Sequence, residues 1–322
     1  MATPPIHVGA ESPIAPQLEE EAPASVPPGS PRRIRWARRS KAIRRFWQAF
    51  RKDRMGVTGL VILVFFVGVA IFAIFADRTG TQITKAVGEP LQPPSWQFPF
   101  GTDNYGRSVL TLTVQGAKIS LLVGLTATVI TMIIGSAVGL AAGYRGGGTD
   151  TLLMRITDWG LVIPWLVLAI SLASIFGQSL FIIIMVIGLT TWPSTARLVR
   201  SQVLSVKERA YIERSRALGA SNWYLVTRHV LPNVMPVIMA NTVLIVAIAI
   251  LSETALSFLG LGDPFSISWG QILEQANNAG ASTLGAWWWL GAPGVCIVLV
   301  VLAFTMIGFA LDQIINPKIR ER

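Results

Sequence analysis

Two carboxylates accompany segments that are otherwise apolar and long enough to cross a membrane. Asp158 lies within the apolar segment 152–176, and Glu253 lies directly after the apolar segment 234–251. An ionisable residue inside a bilayer is costly, so each is a functional hypothesis by default, in gating or in lining a transport pathway. The residues that we predict as pathway or gating candidates are Asp158, Pro164, Glu253 and Ser257.

A structural role is the alternative for both carboxylates, because both are predicted near the ends of spans. Asp158 is expected near the cytoplasmic end, where Arg155 or Arg145 can pair with it. Glu253 is expected near the outer end, where water can reach its carboxylate. Pro164 is expected to kink the third span.

Enzymatic chemistry has little support in the sequence. The two histidines, His7 and His229, both lie outside the predicted spans, and Asp158 and Glu253 are predicted at opposite faces of the membrane. Nucleophilic or acid–base catalysis needs such groups within hydrogen-bond reach of each other. We also find no Gly-x-x-x-x-Gly-Lys-Ser/Thr phosphate loop and no metal-ligand spacing. We therefore predict a chain that is not an enzyme, with no catalytic residues and no metal.

The composition indicates a protein that crosses a membrane several times. Of 322 residues, 52% are hydrophobic and only 14% are charged, which is too apolar for a soluble domain of this length. The net charge of +10 is concentrated, since eleven of the 27 Lys and Arg lie between Arg32 and Arg54. A basic flank before the first apolar span marks the cytoplasmic side, so we predict no nucleic-acid partner.

Hydropathy predicts an all-α membrane protein with six transmembrane helices and both termini in the cytoplasm. Residues 1–31 are predicted as a disordered tail. Residues 32–56 are predicted as a basic amphipathic helix on the inner membrane surface, with a plain basic flank as the alternative. The basic C-terminus, 316–322, is predicted in the cytoplasm. The transmembrane domain covers 57–315, with spans at about 57–76, 119–142, 152–176, 180–198, 234–251 and 290–311.

A polar insert, residues 206–232, interrupts the apolar sequence between spans four and five. Its sequence predicts a helix from Glu208 to Leu218, ended by Gly219, and a second helix from Asn222 to about Val230, capped by Ser221. Pro232 is expected to begin the next element. A solvated cytoplasmic loop is the alternative interpretation of this insert.

The insert resembles the EAA loop of ABC-importer permeases, whose pattern is Glu-Ala-Ala, three residues, Gly, and later Leu-Pro. Arg214 and Ser215 stand where that family has its two alanines. The residues that the resemblance assigns to ATPase coupling are Glu213, Arg214, Ser215, Gly219, Leu231 and Pro232.

Two further motifs resemble one branch of that family. Phe100–Ser108, followed by Gly116–Leu121, is similar to the FGTDxxGRD…GARxSL pattern of peptide-importer permeases, with Ser108 in place of Asp; we assign it a structural role around a satisfied Asp–Arg pair. Leu251–Gly262, continuing to Ser268-Trp269-Gly270, is similar to the EAALSFLGLG…WG segment of the C-type subunit of dipeptide and oligopeptide ABC importers.

The resemblance implies the type I ABC-importer permease fold, with the insert as a cytoplasmic coupling helix. It implies a bacterial cytoplasmic (inner) membrane location, a B-type permease partner, two cytoplasmic ABC ATPases and an external solute-binding protein. ATP and Mg would be bound by the ATPases, with no cofactor in this chain. The expected function is peptide import by alternating access; a nickel or haem importer, or a secondary carrier, are the alternatives.

Overall fold

The computed structural model describes residues 41, 44, 46–76 and 84–315. The predicted tail, 1–31, and the predicted C-terminal segment, 316–322, lie outside the described residues, as do 12 of the 25 residues of the predicted surface helix, 32–56; residues 46–52 of that helix are described and are helical. Residues 46–76 and 84–315 belong to one compact unit. Within this described part every regular element is a helix. The helices are α1 (Arg54–Ala76), α2 (Val109–Arg145), α3 (Gly147–Val162), α4 (Trp165–Phe176), α5 (Leu180–Lys207), α6 (Ala210–Ala217), α7 (Asn222–Leu261), α8 (Trp269–Asn278) and α9 (Trp287–Ile315).

Five of these helices are long and apolar enough to cross a membrane, namely α1, α2, α5, α7 and α9. The pair α3 and α4 passes the same test together and gives a sixth crossing if it is counted as one span. Since a span needs about 20 residues, the 37 residues of α2 and the 40 of α7 exceed that need. Helix α6 belongs to the polar insert, 206–232. We call the end of the membrane helices where it lies the insert side, and the other end the opposite side.

The third predicted span, 152–176, is divided, where a continuous helix with a kink was expected. Helices α3 and α4 meet at an angle of 87°. The break falls at Pro164, which has no N–H to continue the helical ladder and disfavours helical backbone at the residue before it. Ile163 accordingly has extended backbone angles (φ −73°, ψ 124°).

Among the described residues, helices α2 and α5 share the most extensive helix–helix contact, and small residues make their close approach possible. An added Cβ at Gly135 would stand 2.7 Å from the Cβ of Thr195, and one at Gly143 would stand 2.9 Å from the Cβ of Val203. The small-xxx-small spacing of α2 is typical of such contacts between membrane helices. These two helices therefore form a rigid pair that ends on the insert side.

Pro232 lies in the first turn of the α-helical segment Leu231–Leu256, as the sequence predicted, but this segment continues directly from the turns before it, so α7 is continuous from Asn222. The chain passes through Pro232 without a break because the turn before it, Val226–Val230, is a π-helix in which the N–H of Leu231 bonds to the carbonyl of Val226. This wider turn accommodates a proline that cannot donate and whose ring crowds the preceding carbonyls. A second π turn, Ser257–Leu261, ends α7.

Helix α8 lies between predicted spans five and six, where no helix was predicted. Its buried residues, Trp269, Gly270, Ile272 and Ala276, recur at helical spacing. The core on this side is built around Trp269 and Trp289, both fully buried, with contributions from α1, α2, α7 and α9. Trp289, near the start of α9, thus packs inside this core.

Candidate functional site

Helix α6 packs against the membrane helices through its one buried side chain, that of Ile212. Ile212 is fully buried, and it belongs to a cluster that also takes residues from α2, α5 and α7. Burying such a side chain contributes roughly 1.5–3 kcal/mol. The buried members of this cluster are Met132, Tyr144, Val199, Val203, Val206, Ile212, Leu225, Val230, Val234, Ile238 and Ile245.

The remaining surface of α6 faces outward. Glu213 and Arg214 are exposed, and Leu218 at the end of the helix is 89% exposed. Ser215 is half-buried, and its hydroxyl donates back to the carbonyl of Tyr211 over 2.8 Å. The three residues at the EAA positions, Glu213, Arg214 and Ser215, thus lie next to each other on α6, and the first two are exposed to a partner.

A tight turn at Gly219 separates α6 from α7. Gly219 has φ 87°, in the left-handed region that favours glycine. The N–H of Ala220 bonds to the carbonyl of Ser215 over 3.1 Å, which closes the end of α6. The hydroxyl of Ser221 accepts from the N–H of Tyr224 and caps α7. The helix stop and the cap therefore lie where the sequence predicted them, although α6 is two residues shorter at its start and one at its end.

Polar and aromatic contacts that the sequence did not predict join the insert to the membrane helices. The hydroxyl of Tyr144 in α2 donates to the side-chain oxygen of Asn222 over 2.9 Å, and the ammonium group of Lys207 lies 5.9 Å from the ring of Tyr144. On the far side of the turn, the ring of His229 contacts those of Tyr211 and Tyr224. These contacts link partners from α2, α5, α6 and α7, which is why no local sequence pattern indicates them.

A cavity of about 570 Å³ lies beside the turn. It is bounded by the end of α6 and the start of α7, so the predicted coupling residues Ser215 and Gly219 lie in its wall. Leu231 and Pro232 lie farther along α7, where Leu231 is half-buried and Pro232 is exposed. The lining residues are Ser215, Leu218, Gly219, Ala220, Ser221, Tyr224 and His229.

Asp158 is paired, but with neither of the predicted arginines. Its carboxylate accepts from Arg197 of α5 over 2.5 Å, and both side chains are about half exposed. Nearer the start of the same helix α3, Asp150 accepts two hydrogen bonds of 2.6 Å from Arg200 of α5. The expectation of Arg155 or Arg145 considered only neighbours in sequence, whereas α3 packs across α5. Pro164 lies at the break between α3 and α4, beyond this pair of ionic contacts.

Glu253 is 1% exposed, so the expectation that water reaches it is wrong. Its two carboxylate oxygens accept from the hydroxyls of Ser257, over 2.8 Å, and of Ser120, over 3.2 Å. The hydroxyl of Ser120 in turn accepts from the N–H of Trp269 over 3.1 Å. The carboxylate is enclosed because α8 covers the end of α7, which a plain loop would have left open.

The motif at Phe100–Ser108 is structural, as predicted. Asp103 is fully buried and accepts from the N–H groups of Tyr105 and Arg107, while the Arg107 side chain donates to the second carboxylate oxygen over 2.5 Å. Arg107 also donates to Gln275 of α8 over 2.9 Å. Ser108 caps α2. Among the described residues, no group of three or more His, Cys, Asp or Glu side chains is placed to hold a metal ion.

Two family models match this chain, one over its first membrane helix and one over its later helices. The family described as "Binding-protein-dependent transport system inner membrane component" matches residues 135–321, and the "N-terminal TM domain of oligopeptide transport permease C" matches residues 42–94. The dipeptide transport system permease protein DppC of Bacillus subtilis is 37% identical over 85% of this chain and 85% of its own length. The oligopeptide transport system permease protein OppC of the same organism is 36% identical over 84% of this chain and 88% of its own length.

The fold has a solved counterpart. A structure of the MetNI methionine ABC transporter, in an inward-facing conformation, matches with a TM-score of 0.52 and 21% identity. The match covers 64% of this chain and 95% of the other. The predicted all-α permease fold is thereby confirmed, and the sequence relatives extend over most of the chain. The chain therefore belongs to the family of binding-protein-dependent transport system inner membrane components.

Proposed function

We propose that this chain is the C-type permease subunit of an ATP-driven importer of dipeptides or oligopeptides. The observation that carries the proposal is the similarity to relatives named as dipeptide and oligopeptide permeases, over more than four fifths of both chains. The alternative is that the same machinery carries nickel or haem as its cargo. A secondary carrier would have no need for an exposed helix such as α6.

The proposed working complex has four other protein subunits beside the lipid bilayer. A B-type permease completes the pathway, two ABC ATPases bind ATP and Mg on the insert side, and an external solute-binding protein delivers the peptide. The insert side is the cytoplasmic side in this proposal, because basic residues such as Arg145, Arg200 and Lys207 accumulate there. Both termini are then cytoplasmic.

Helix α6 is the proposed contact with an ATPase. Its exposed residues Glu213 and Arg214 offer charges of both signs, and Leu218 offers an apolar contact beside the 570 Å³ cavity. Ile212, from the same helix, is buried among residues of α2, α5 and α7. A displacement of α6 therefore moves packed side chains of three membrane helices, because a close-packed cluster transmits strain.

Transport then follows as alternating access. ATP binding closes the ATPases and displaces α6, and the membrane helices exchange between two packed arrangements that open to opposite sides. The turn at Gly219 and the π turn before Pro232 flank the start of α7, so the displacement reaches α7 from its first residues. A role of Asp158, Pro164, Glu253 and Ser257 in gating stays a prediction within this scheme.

The test of ATPase coupling is a charge reversal with a matched control. Glu213→Lys reverses a charge on α6, whereas Glu208→Lys reverses one at the end of α5; both glutamates are exposed. We expect Glu213→Lys to release the ATPases from complexes purified in mild detergent and to abolish uptake, while the second permease stays bound. Glu208→Lys should keep both. Retention of the ATPases and of uptake by Glu213→Lys would contradict the coupling role.

Cargo is tested separately, on vesicles that hold the complete importer. Uptake of labelled dipeptides and tripeptides is measured with the cognate binding protein, and uptake of labelled Ni²⁺ and of haem is measured in parallel. Uptake of peptides alone supports peptide import. Uptake of Ni²⁺ or haem alone assigns the machinery to the alternative cargo and leaves the coupling role untouched.

A further inference from the structure

A groove of about 580 Å³ runs between α1, α2 and α9, on the side opposite the insert. None of its lining residues belongs to the insert or to the ionic pairs of α3 and α5, and Glu253 is not in its wall. Trp269 of α8 lies in its wall and makes an edge-to-face contact with Phe66 of α1. The helices contribute Phe65, Phe66 and Val69 from α1, Leu110 and Val114 from α2, and Val295, Cys296 and Leu299 from α9.

Apart from Trp287 at its end and the thiol of Cys296, the polar side-chain groups in the wall of this groove already have hydrogen-bond partners. The one hydroxyl in the wall, that of Thr113, donates to the carbonyl of Val109 over 2.7 Å. The indole N–H of Trp269 donates to the carbonyl of Thr113, and that of Trp288 to the carbonyl of Thr102. A peptide would bring amide groups that find no hydrogen-bond partners there. Each unsatisfied amide group in an apolar, lipid-like environment costs on the order of several kcal/mol of binding free energy. The groove therefore suits a hydrocarbon chain.

The groove opens sideways onto the surface that meets the bilayer. Phe65 on α1 is 62% exposed and Val295 on α9 is 57% exposed, and both belong to helices that can cross the membrane. Helices α1 and α9 contact closely nearer the insert side, where an added Cβ at Gly59 would stand 2.7 Å from the carbonyl oxygen of Ala303. Farther along, the groove separates them. It is thus a wedge-shaped space continuous with the lipid-facing surface.

One end of the groove has the composition of a membrane interface. Trp287, 68% exposed at the start of α9, lies there with Trp288 and with Pro94, Pro99 and Phe100 of the segment before α2. Tryptophan is enriched at the level of the lipid headgroups. An occupant therefore has its polar end beside Trp287 and its apolar part between α1 and α9.

We propose that this groove is a binding site for one membrane phospholipid, taken from the leaflet opposite the insert. One acyl chain lies between α1 and α9, against Phe66 and Trp269, and the headgroup lies at Trp287. The acyl chain fills a space in which the lining side chains otherwise have no contact partner. It thereby supports the outer half of α1, whose inner half packs directly on α9.

Two glycines of α9 provide a matched pair of variants. Gly291 lines the groove and Gly294 does not, and at both positions an added Cβ meets no atom closer than 4.0 Å. Gly291→Phe places a ring in the groove, whereas Gly294→Phe adds the same ring outside it. The complete importer is purified in mild detergent, and native mass spectrometry counts the phospholipids that stay bound. We expect Gly291→Phe to retain one fewer than the wild type and Gly294→Phe to retain the same number. Equal counts for all three would overturn the proposal.

Cys296 gives a second readout that does not depend on these variants. It is the single cysteine of the chain and lies in the groove wall. In the delipidated wild-type complex, N-ethylmaleimide should alkylate Cys296 several-fold faster than in the lipid-replete complex, as followed by peptide mass spectrometry. Adding phospholipid should restore the protection, whereas adding glycerophosphocholine, which has no acyl chain, should not. An alkylation rate that phospholipid leaves unchanged would overturn the proposal.

Discussion

Tyr144 of α2 donates a hydrogen bond to the side chain of Asn222, the first residue of α7, over 2.9 Å. The tyrosine is buried and the asparagine is exposed. This bond joins the rigid α2–α5 pair to the helix that leaves the insert. A force applied to α6 therefore reaches α2 by two routes, through the apolar cluster around Ile212 and through this polar contact.

The hydroxyl of Tyr144 is predicted to contribute to coupling. Tyr144→Phe keeps the ring that packs in the cluster and removes the bond to Asn222, whose net contribution is about 1 kcal/mol. We expect normal assembly, but fewer peptides transported per ATP hydrolysed, measured in proteoliposomes. Tyr224→Phe, in the same insert and about half exposed, is the control and should change neither quantity. Unchanged stoichiometry in Tyr144→Phe would remove this contact from the coupling route.

The carboxylate of Glu253 is predicted to be irreplaceable by an amide. Ser120 accepts from the N–H of Trp269, so its own proton points to Glu253, and Ser257 donates to the other oxygen. Glu253→Gln sets an NH₂ donor against one of these donors, at a cost of about 1–3 kcal/mol in stability.

Thermal unfolding of the purified complex measures this effect. Glu253→Gln should lower the unfolding temperature by several degrees. Glu274→Gln in α8 is the control, because its partner Asn278 donates to one oxygen that glutamine retains, and it should leave the temperature unchanged. Equal unfolding temperatures for both variants would show that the hydroxyls turn to suit either side chain.

The two ion pairs between α3 and α5 are predicted to differ in strength. Asp150 binds Arg200 through two hydrogen bonds in a site that is mostly shielded, whereas Asp158 and Arg197 are about half exposed. Exposed pairs contribute roughly 0–1 kcal/mol and two-point arginine pairs more. We expect Asp150→Asn to lower the unfolding temperature clearly and Asp158→Asn to leave it nearly unchanged. The reverse order would mean that Asp158 is shielded in the assembled importer.

Hydropathy predicted the membrane helices well because a lipid environment imposes apolar side chains along the whole span. It predicted them too short, as for α2 and α7, because helices continue beyond the hydrocarbon layer and carry polar residues there. Helix α8 was missed although its signals were present: Ser268 as a cap and apolar residues at positions 269, 272, 273 and 276. A ten-residue amphipathic helix lies below the length that a search for spans detects.

For the insert and the two carboxylates, the sequence predicted those features that depend only on neighbouring residues. Gly219 and Ser221 act within a few residues of their own position, so the stop and the cap followed from residue type. The partners of Asp158 and Glu253 did not, because Arg197, Ser120 and Trp269 approach from other helices. The continuity of α7 through Pro232 was also missed, since it depends on a π turn that no residue type specifies.

Gly219 is predicted to be required for its backbone conformation and not for space. An added Cβ there meets no atom within 4 Å, so the cost of Gly219→Ala arises from φ 87° alone and amounts to about 1–2 kcal/mol. Gly148→Ala in the first turn of α3 also meets no atom within 4 Å, but its φ lies outside the left-handed range. There alanine should be neutral or stabilising by about 0.4–1 kcal/mol. Because the strain falls on the turn between α6 and α7, we expect Gly219→Ala to reduce transport per ATP as well as the unfolding temperature, and Gly148→Ala to reduce neither. A Gly219→Ala importer with full coupling would show that the turn tolerates a different backbone path without disturbing α6.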